Sequence, residues 1–375
     1  MQHTHSPDAQ PFGDTVPRLK DSVELFTSPD GTIHLLPATH ATDFAITDPI
    51  EAHHRTFSLL TEGRTASEIC RLVNQETGID ETAVASFLRD LAAAGLLHNV
   101  TPIASEIPPD ELERYDRQLR YFAELVPYET KPVEIQHRLR RARVGILGLG
   151  GIGSWTALAL AAAGVGTLRI CDGDTVDHSN LNRQVLYTND DIGHPKSTAA
   201  ASALRRFNPL VSVETSDQMV IDEPSAAAFS ANCDLVIEAA DTPVGVLSHL
   251  LNDVCLSAAI PHVIMSQYPP LVRVGPTFVP GSTGCFKCYE SVASDEFEHY
   301  ELLSRHRTDR GAQGAAFGPI CGIVGSLVAN EVVNLLTGVI SPATIGAAYT
   351  LDTRTLEVTH ETLHIAPNCS ACQRN

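Results

Sequence analysis

The sequence predicts an α/β protein in two parts: a small α+β domain over residues 21–100 and a doubly wound, mostly parallel sheet over residues 114–375. Three observations carry this. Short strand patterns precede helical ones in the first hundred residues. From residue 114 onward apolar strands alternate with Ala-rich helices, as in "ARVGILGL", "SWTALALAAAG", "TLRICDGD", "STAAASALRRFN" and "DLVIEAAD". A glycine run, "GILGLGGIG" at 145–153, falls at the first strand-to-helix junction of that series.

Composition sets the outer limits. A chain of 375 residues fits about two domains at ~100–200 residues each. Lys plus Arg number 26 against 45 Asp plus Glu, and a formal charge of −19 repels phosphate backbones, so neither nucleic acid nor an anionic membrane is expected as a partner. Residues 1–20, "MQHTHSPDAQPFGDTVPRLK", lack the apolar core of a signal peptide and read as a flexible lead. The nearest approach to a membrane span, "GSLVANEVVNLLTGVI", is interrupted by Asn330, Glu331 and Asn334, and a cytoplasmic location follows. Nine cysteines in that compartment are thiols or metal ligands in preference to disulfides.

In the first domain, Val23 and Leu25, then Ile33 and Leu35, alternate around a Pro-Asp-Gly turn and predict a β-hairpin, with a third strand in "DFAIT". Thr65 and Glu68 have capping-box spacing, and Val84, Phe87, Leu88 and Leu91 share one helical face that stops at Gly95. The order is that of a winged helix, without a basic recognition helix. It resembles the PqqD-like leader-peptide recognition domain found fused to enzymes that modify ribosomal peptides. That resemblance implies a peptide adding as an extra strand beside the hairpin; a structural appendage is the alternative. Pro102, Pro108 and Pro109 mark residues 101–113 as the linker.

Gly148, Gly150 and Gly153 form GxGxxG, which turns backbone amides and the positive end of a helix toward phosphates. Asp172, 19 residues beyond Gly153, can accept from ribose hydroxyls at the end of the next strand. These residues alone also fit a dinucleotide-dependent oxidoreductase. The stretch "DGDTVDHSNLNRQVLYTNDDIGHPK" adds two cations, Arg183 and Lys196, of the kind that polarise a triphosphate for attack at its α-phosphorus. Asp241, in "EAADTP", stands at a strand end and suits Mg²⁺.

"CFKC" at 285–288 and "CSAC" at 369–372 are two CxxC pairs on Pro/Gly/Asn-containing loops. Cys285, Cys288, Cys369 and Cys372 suit a closed, structural, tetrahedral Zn²⁺; a redox pair is the alternative. Cys70, Cys171, Cys233, Cys255 and Cys321 lie in apolar stretches and read as buried structural cysteines, and the stretch from Tyr289 to Pro319 contains none.

"RYDRQ" at 114–118, "GLGGIG" at 148–153, "DGDTVDHSNLNRQ" at 172–184, "GHPK" at 193–196 and "AADTP" at 239–243 resemble, in order, the ThiF, MoeB and ubiquitin-activating (E1) family of adenylyltransferases. The resemblance implies a Rossmann-like fold that uses ATP and Mg²⁺ to join a carboxylate to AMP, with loss of pyrophosphate. Gly148, Gly150, Gly151 and Gly153 would form the nucleotide loop, Asp172 would bind ribose, and Asn180 and Gln184 would line the site. Arg183 and Lys196 would bind phosphates and Asp241 Mg²⁺. Arg117 would be an arginine finger supplied across a homodimer, and the four paired cysteines would hold zinc. With the first domain included, the layout is similar to the microcin C7 type of peptide adenylyltransferase, which implies a short ribosomal precursor peptide activated at its C-terminal carboxylate. The alternatives are activation of a Glu or Asp side chain, as in pantocin biosynthesis, a sulfur carrier ending in Gly-Gly, and a non-catalytic scaffold presenting a leader peptide. Retention of Arg117, Arg183, Lys196 and Asp241 counts against the last.

Overall fold

The computed structural model describes residues 12–37, 43–102, 107–216, 219–296, 298–300, 302–303, 305–306 and 314–372. Part of the expected flexible lead, residues 1–11, and part of the stretch from Tyr289 to Pro319 lie outside the described residues. The chain packs as two compact units, residues 1–137 and 138–375.

In the first unit β1 (Pro17–Leu19) pairs antiparallel with β5 (Leu97–Asn99). β2 (Val23–Thr27), β3 (Ile33–Pro37) and β4 (Phe44–Ile46) form a three-stranded antiparallel sheet. The Ser28-to-Thr32 turn closes the hairpin through Gly31, whose φ of +90° is the left-handed conformation that glycine supplies. Helices α1 (Glu51–Leu59), α2 (Ala66–Thr77) and α3 (Glu81–Ala93) follow. The Thr65 hydroxyl accepts from the Glu68 amide at 3.2 Å while the Glu68 carboxylate accepts from the Thr65 amide at 2.9 Å, so the capping box is formed. Leu35, Leu59, Ile69, Val73, Val84, Leu88 and Leu97 build the core. α4 (Pro109–Arg114) and α5 (Asp116–Leu125) complete this unit, and α6 (Pro132–Arg141) spans the division.

The second unit is built on an eight-stranded sheet in the order β8-β7-β6-β9-β10-β11-β12-β13. β6 (Arg143–Leu147), β7 (Thr167–Cys171), β8 (Ser212–Ser216), β9 (Leu235–Glu238) and β10 (His262–Tyr268) run parallel. β11 (Leu271–Phe278), β12 (Ala347–Asp352) and β13 (Val358–Thr362) extend it antiparallel. Helices α7 (Gly151–Ala163), α8 (Lys196–Phe207), α9 (Glu223–Ser230) and α10 (Leu247–Ser257) connect the parallel strands, and α11 (Phe286–Glu296) and α12 (Gly318–Thr337) follow β11. Strand order reverses at β6, between β7 and β9, and open α/β sheets hold ligands at the carboxyl ends of strands at such a point.

Asn330, Glu331 and Asn334, which break the apolar run in the sequence, all lie within α12. The helix runs unbroken and is long and apolar enough to cross a membrane, yet it packs against α7 with Val324, Val328 and Val332 buried in one stripe. Asn334 is buried, and the Glu331 carboxylate accepts from the Thr344 amide at 2.8 Å and hydroxyl at 2.9 Å. Gly325 permits the close approach, because a Cβ there would stand 2.7 Å from that of Trp155.

Candidate functional site

The chain turns sharply at the end of β6. Gly148 has a φ of +95°, and a Cβ on it would lie 2.5 Å from the Ala240 nitrogen, so backbone from the end of β9 lies directly against this residue. A Cβ on Gly153 would lie 2.0 Å from the Gly148 oxygen. At Gly150, by contrast, the nearest atom to an added Cβ is Nε2 of Gln184 at 3.9 Å, and Gly150 caps α7 without a side chain. Two glycines thus close the loop on itself, and the third leaves space before a helix N-terminus, where an anion is stabilised.

Asp172 follows β7. Its Oδ2 accepts from the Leu149 amide at 2.7 Å and its Oδ1 from the Asp174 amide at 2.9 Å, so it fixes the glycine loop and retains lone pairs for a further donor. Tyr187, unremarked in the sequence, anchors the same loop by donating to the Leu149 carbonyl at 3.0 Å. Lys196, first residue of α8, is buried and donates to Asp174 Oδ2 at 2.7 Å, with Asp172 Oδ1 at 3.9 Å. Arg183 donates to the Ser179 carbonyl at 2.8 Å and to Asn182 Oδ1 at 3.0 Å. Asn180 Oδ1 accepts from the Asp177 amide, and Gln184 is buried with its Oε1 lacking any partner.

These groups line one cavity of about 1010 Å³, at the top of the range for small-molecule sites. Gly148, Gly150, Gly151, Asp172, Asn180, Arg183, Gln184, Lys196 and Asp241 all contribute to its wall; Gly153 lies behind the loop. Asp241 is solvent-exposed, with its carboxyl pushed up by the surrounding protein mass and drawn down by Lys196. Arg117 stands exposed on α5 of the first unit, and the cavity walls are made by residues of the second.

Two wall residues, Glu238 and Arg273, were missed by sequence reasoning, and a third, Cys321, reads from the sequence as a buried structural cysteine. Glu238 ends β9 with Oε1 accepting from the Ser248 hydroxyl and Oε2 buried without a partner; burial foremost, with Asp241 nearby, pushes its carboxyl up to about 7. An acid ending an apolar strand, three residues before Asp241, was the available signal. Arg273, in the middle of β11, lies across the Tyr289 ring at 5.1 Å. Cys321 is buried as expected but also faces the cavity, its thiol donating to Gln267 Oε1 at 3.4 Å beside Gly151.

The four paired cysteines come together. Their Sγ atoms all lie within 4.8 Å of one another, with Cys285–Cys369 and Cys288–Cys372 each at 3.6 Å and Cys285–Cys288 at 4.0 Å. Tetrahedral Zn–S bonds near 2.3 Å give S–S edges of about 3.8 Å, so this donor set fits zinc. The Ala366 amide pointing at Cys288 Sγ, 3.3 Å away, suits a thiolate ligand. Cys70 and the trio Cys171, Cys233 and Cys255 sit in hydrophobic cores.

The sequence profile of the ThiF family matches residues 115–373. The molybdopterin-synthase adenylyltransferase of Escherichia coli K12 is 30% identical over 270 residues, which are 72% of this chain and 99% of that protein. The crystal structure of PaaA superposes with a TM-score of 0.72 at 27% identity, over 92% of this chain and 99% of that one. Escherichia coli MccB, solved with ATP, gives 0.74 at 22% identity over 95% and 99%, a likeness of fold.

Proposed function

Because this chain belongs to the ThiF family, whose named relatives are adenylyltransferases, we propose that it uses ATP to adenylate a carboxylate of a short ribosomally made peptide. A carboxylate oxygen of the peptide attacks the α-phosphorus, and pyrophosphate leaves with the bonding pair, giving an acyl adenylate. The C-terminal carboxylate is the favoured position. The observation that carries the reading is one continuous cavity joining the glycine loop, both cations and Asp241 to a further wall from β10 and β11.

In this reading the open face of Gly150 and the α7 N-terminus receive phosphates, and Asp172 receives the ribose. Arg183 and Lys196 offset charge that grows on the triphosphate during displacement; Lys196 exchanges its exposed partner Asp174 for a phosphate oxygen. Asp241 would hold Mg²⁺, and that ion would supply positive charge against the pyrophosphate. Arg117, exposed on α5, is the candidate for a cation delivered to a partner copy in a homodimer. The cysteine tetrad would hold a structural Zn²⁺ that ties the C-terminal tail to the start of α11.

Layout supports the peptide as substrate. The likeness to molybdopterin-synthase adenylyltransferase spans 99% of that protein but only 72% of this chain, whereas PaaA and MccB match over more than nine-tenths of both chains. MccB has been solved with MccA bound and, as a microcin C7 biosynthetic enzyme, with N-formylated MccA. In the first unit β2 is an edge strand that exposes Leu25 and Phe26, as peptide addition requires. The sequence relatives favour a second reading, a Gly-Gly-ending sulfur carrier as substrate. Labelled pyrophosphate exchange into ATP decides: a peptide encoded beside the gene should support it and a sulfur carrier should not. No exchange with either, or ADP as product, would overturn adenylation.

A further inference from the structure

Beyond the nucleotide end, the cavity contains a cation that the adenylation chemistry does not use. Among the described residues its wall holds three Lys or Arg side chains, Arg183, Lys196 and Arg273. The first two stand by the glycine loop. Arg273 lies on β11, opposite Ser266 of β10 and two strands from β9, which is about 10 Å across the sheet from the strand leading to Asp241. That distance is the reach of the activated residue or the one before it.

The guanidinium is held but unsatisfied. Stacking over Tyr289 fixes its plane. Of its five N–H donors, one has a protein acceptor, Glu361, and its Nε is buried without any. Glu361 is 68% exposed, so that ion pair is weak and open to exchange. The neighbouring acids do not compete for Arg273: Glu290 pairs with His249 at 3.3 Å and Glu238 accepts from Ser248. Once the exposed Glu361 exchanges away, the planar fork matches a carboxylate better than it matches any neutral acceptor.

We propose that Arg273 and Tyr289 form a subsite for a second carboxylate, one that is not adenylated, within the last two residues of the substrate peptide. The subsite selects acidic peptide ends and orients the reacting carboxylate toward ATP. This rests on the peptide-adenylation reading.

The test uses the full chain and four synthetic pentapeptides, identical except for ends of Ala-Glu, Ala-Gln, Glu-Ala and Gln-Ala, at millimolar concentration in pyrophosphate exchange. Wild type should prefer an acidic peptide over its amide twin by roughly thirty-fold in kcat/KM, the scale of one charged hydrogen bond. The pair that shows the preference locates the carboxylate. Arg273→Gln should abolish that preference while leaving exchange with the amide peptide, and the KM for ATP, within about threefold. Arg273→Lys keeps charge without the fork and should show an intermediate preference; should the Gln variant fail to bind ATP, the Lys variant decides. Acid preference that persists in the variant, or acid and amide peptides losing equally, overturns the subsite. Wild-type exchange with all four peptides and no preference also overturns it while leaving adenylation standing. Absence of exchange with every peptide, despite ATP binding, overturns the adenylation reading and the subsite with it.

Discussion

The two ends of the cavity are built by different means. At the nucleotide end, backbone packs on backbone: Gly148 against Ala239 and Ala240, and Gly153 against the Gly148 carbonyl. At the far end, side chains from β9, β10, β11, α10 and α11 converge, among them Glu238, Ser248, His249, Arg273 and Tyr289. The first kind of wall tolerates almost no substitution, as suits the proposed nucleotide, whose phosphates are always the same. The second can be re-cut one residue at a time, as suits a substrate that differs between relatives.

The harshest test of that contrast is Gly153→Ala. Its methyl would need to occupy space 2.0 Å from a backbone oxygen that cannot swing away. Overpacking of this kind costs about 3 kcal/mol, so urea titration should show that loss and calorimetry no ATP binding. A stable, ATP-binding Gly153→Ala protein would refute the rigid-wall account.

The same contrast explains what was legible in the sequence. Glycines forced by sterics recur at fixed spacing within one strand-turn-helix unit, so the spacing was enough to place Gly148, Gly150 and Gly153 at the tight turn from β6 into α7. The CxxC pairs were legible because four thiols have few other uses together. Arg273 was not: "LVRVGPTF" reads as an ordinary strand, and its meaning depends on Tyr289 arriving from a helix sixteen residues on (289 − 273). Nor did the sequence show that Lys196 rests on Asp174, since that pair depends on how the turn after β7 folds back. Where Asn334 and Glu331 of α12 find buried or bonded positions was likewise beyond what periodicity reveals.

At the far end, Glu238 makes stability depend on pH. Its carboxyl titrates near 4.5 when unfolded and near 7 when folded, so the folded state holds an extra proton between those values. Stability from this group is complete below pH 4.5 and is lost as pH rises through 7. Glu238→Gln, followed by urea denaturation without nucleotide or divalent cation, should flatten that slope and raise stability at pH 8 by up to ~3 kcal/mol relative to wild type. An unchanged slope would show that Oε2 is not dry.

The cysteine tetrad offers a way to disturb one end alone. Cys285 and Cys288 flank Phe286 and Lys287, and Cys288 immediately precedes Tyr289, so an ion held by them would set the position of the far wall. Cys288→Ser should lower bound zinc, measured by atomic emission, and raise the peptide KM about tenfold, a change of ~1.4 kcal/mol. ATP affinity should stay within about twofold. Equal losses for both ligands would mean that the two ends share one support.

Gly150→Ala separates the roles of neighbouring glycines within the nucleotide end itself. Its backbone, with φ −71° and ψ −152°, is open to any residue, and the nearest atom to the new Cβ would be a side-chain nitrogen 3.9 Å away. Alanine is a poorer helix cap than glycine but loses less chain entropy on folding, and these terms oppose each other, so stability should move by no more than ~0.5 kcal/mol. The methyl would nevertheless stand in the space before the α7 N-terminus. ATP affinity should therefore fall by roughly tenfold, because each phosphate oxygen must retreat from amides whose field fades within one turn. Calorimetry and urea titration on the same preparation measure both quantities. Unchanged ATP affinity in a stable protein would show that phosphates do not approach at Gly150, and the backbone-built end would then be a packing device without a ligand.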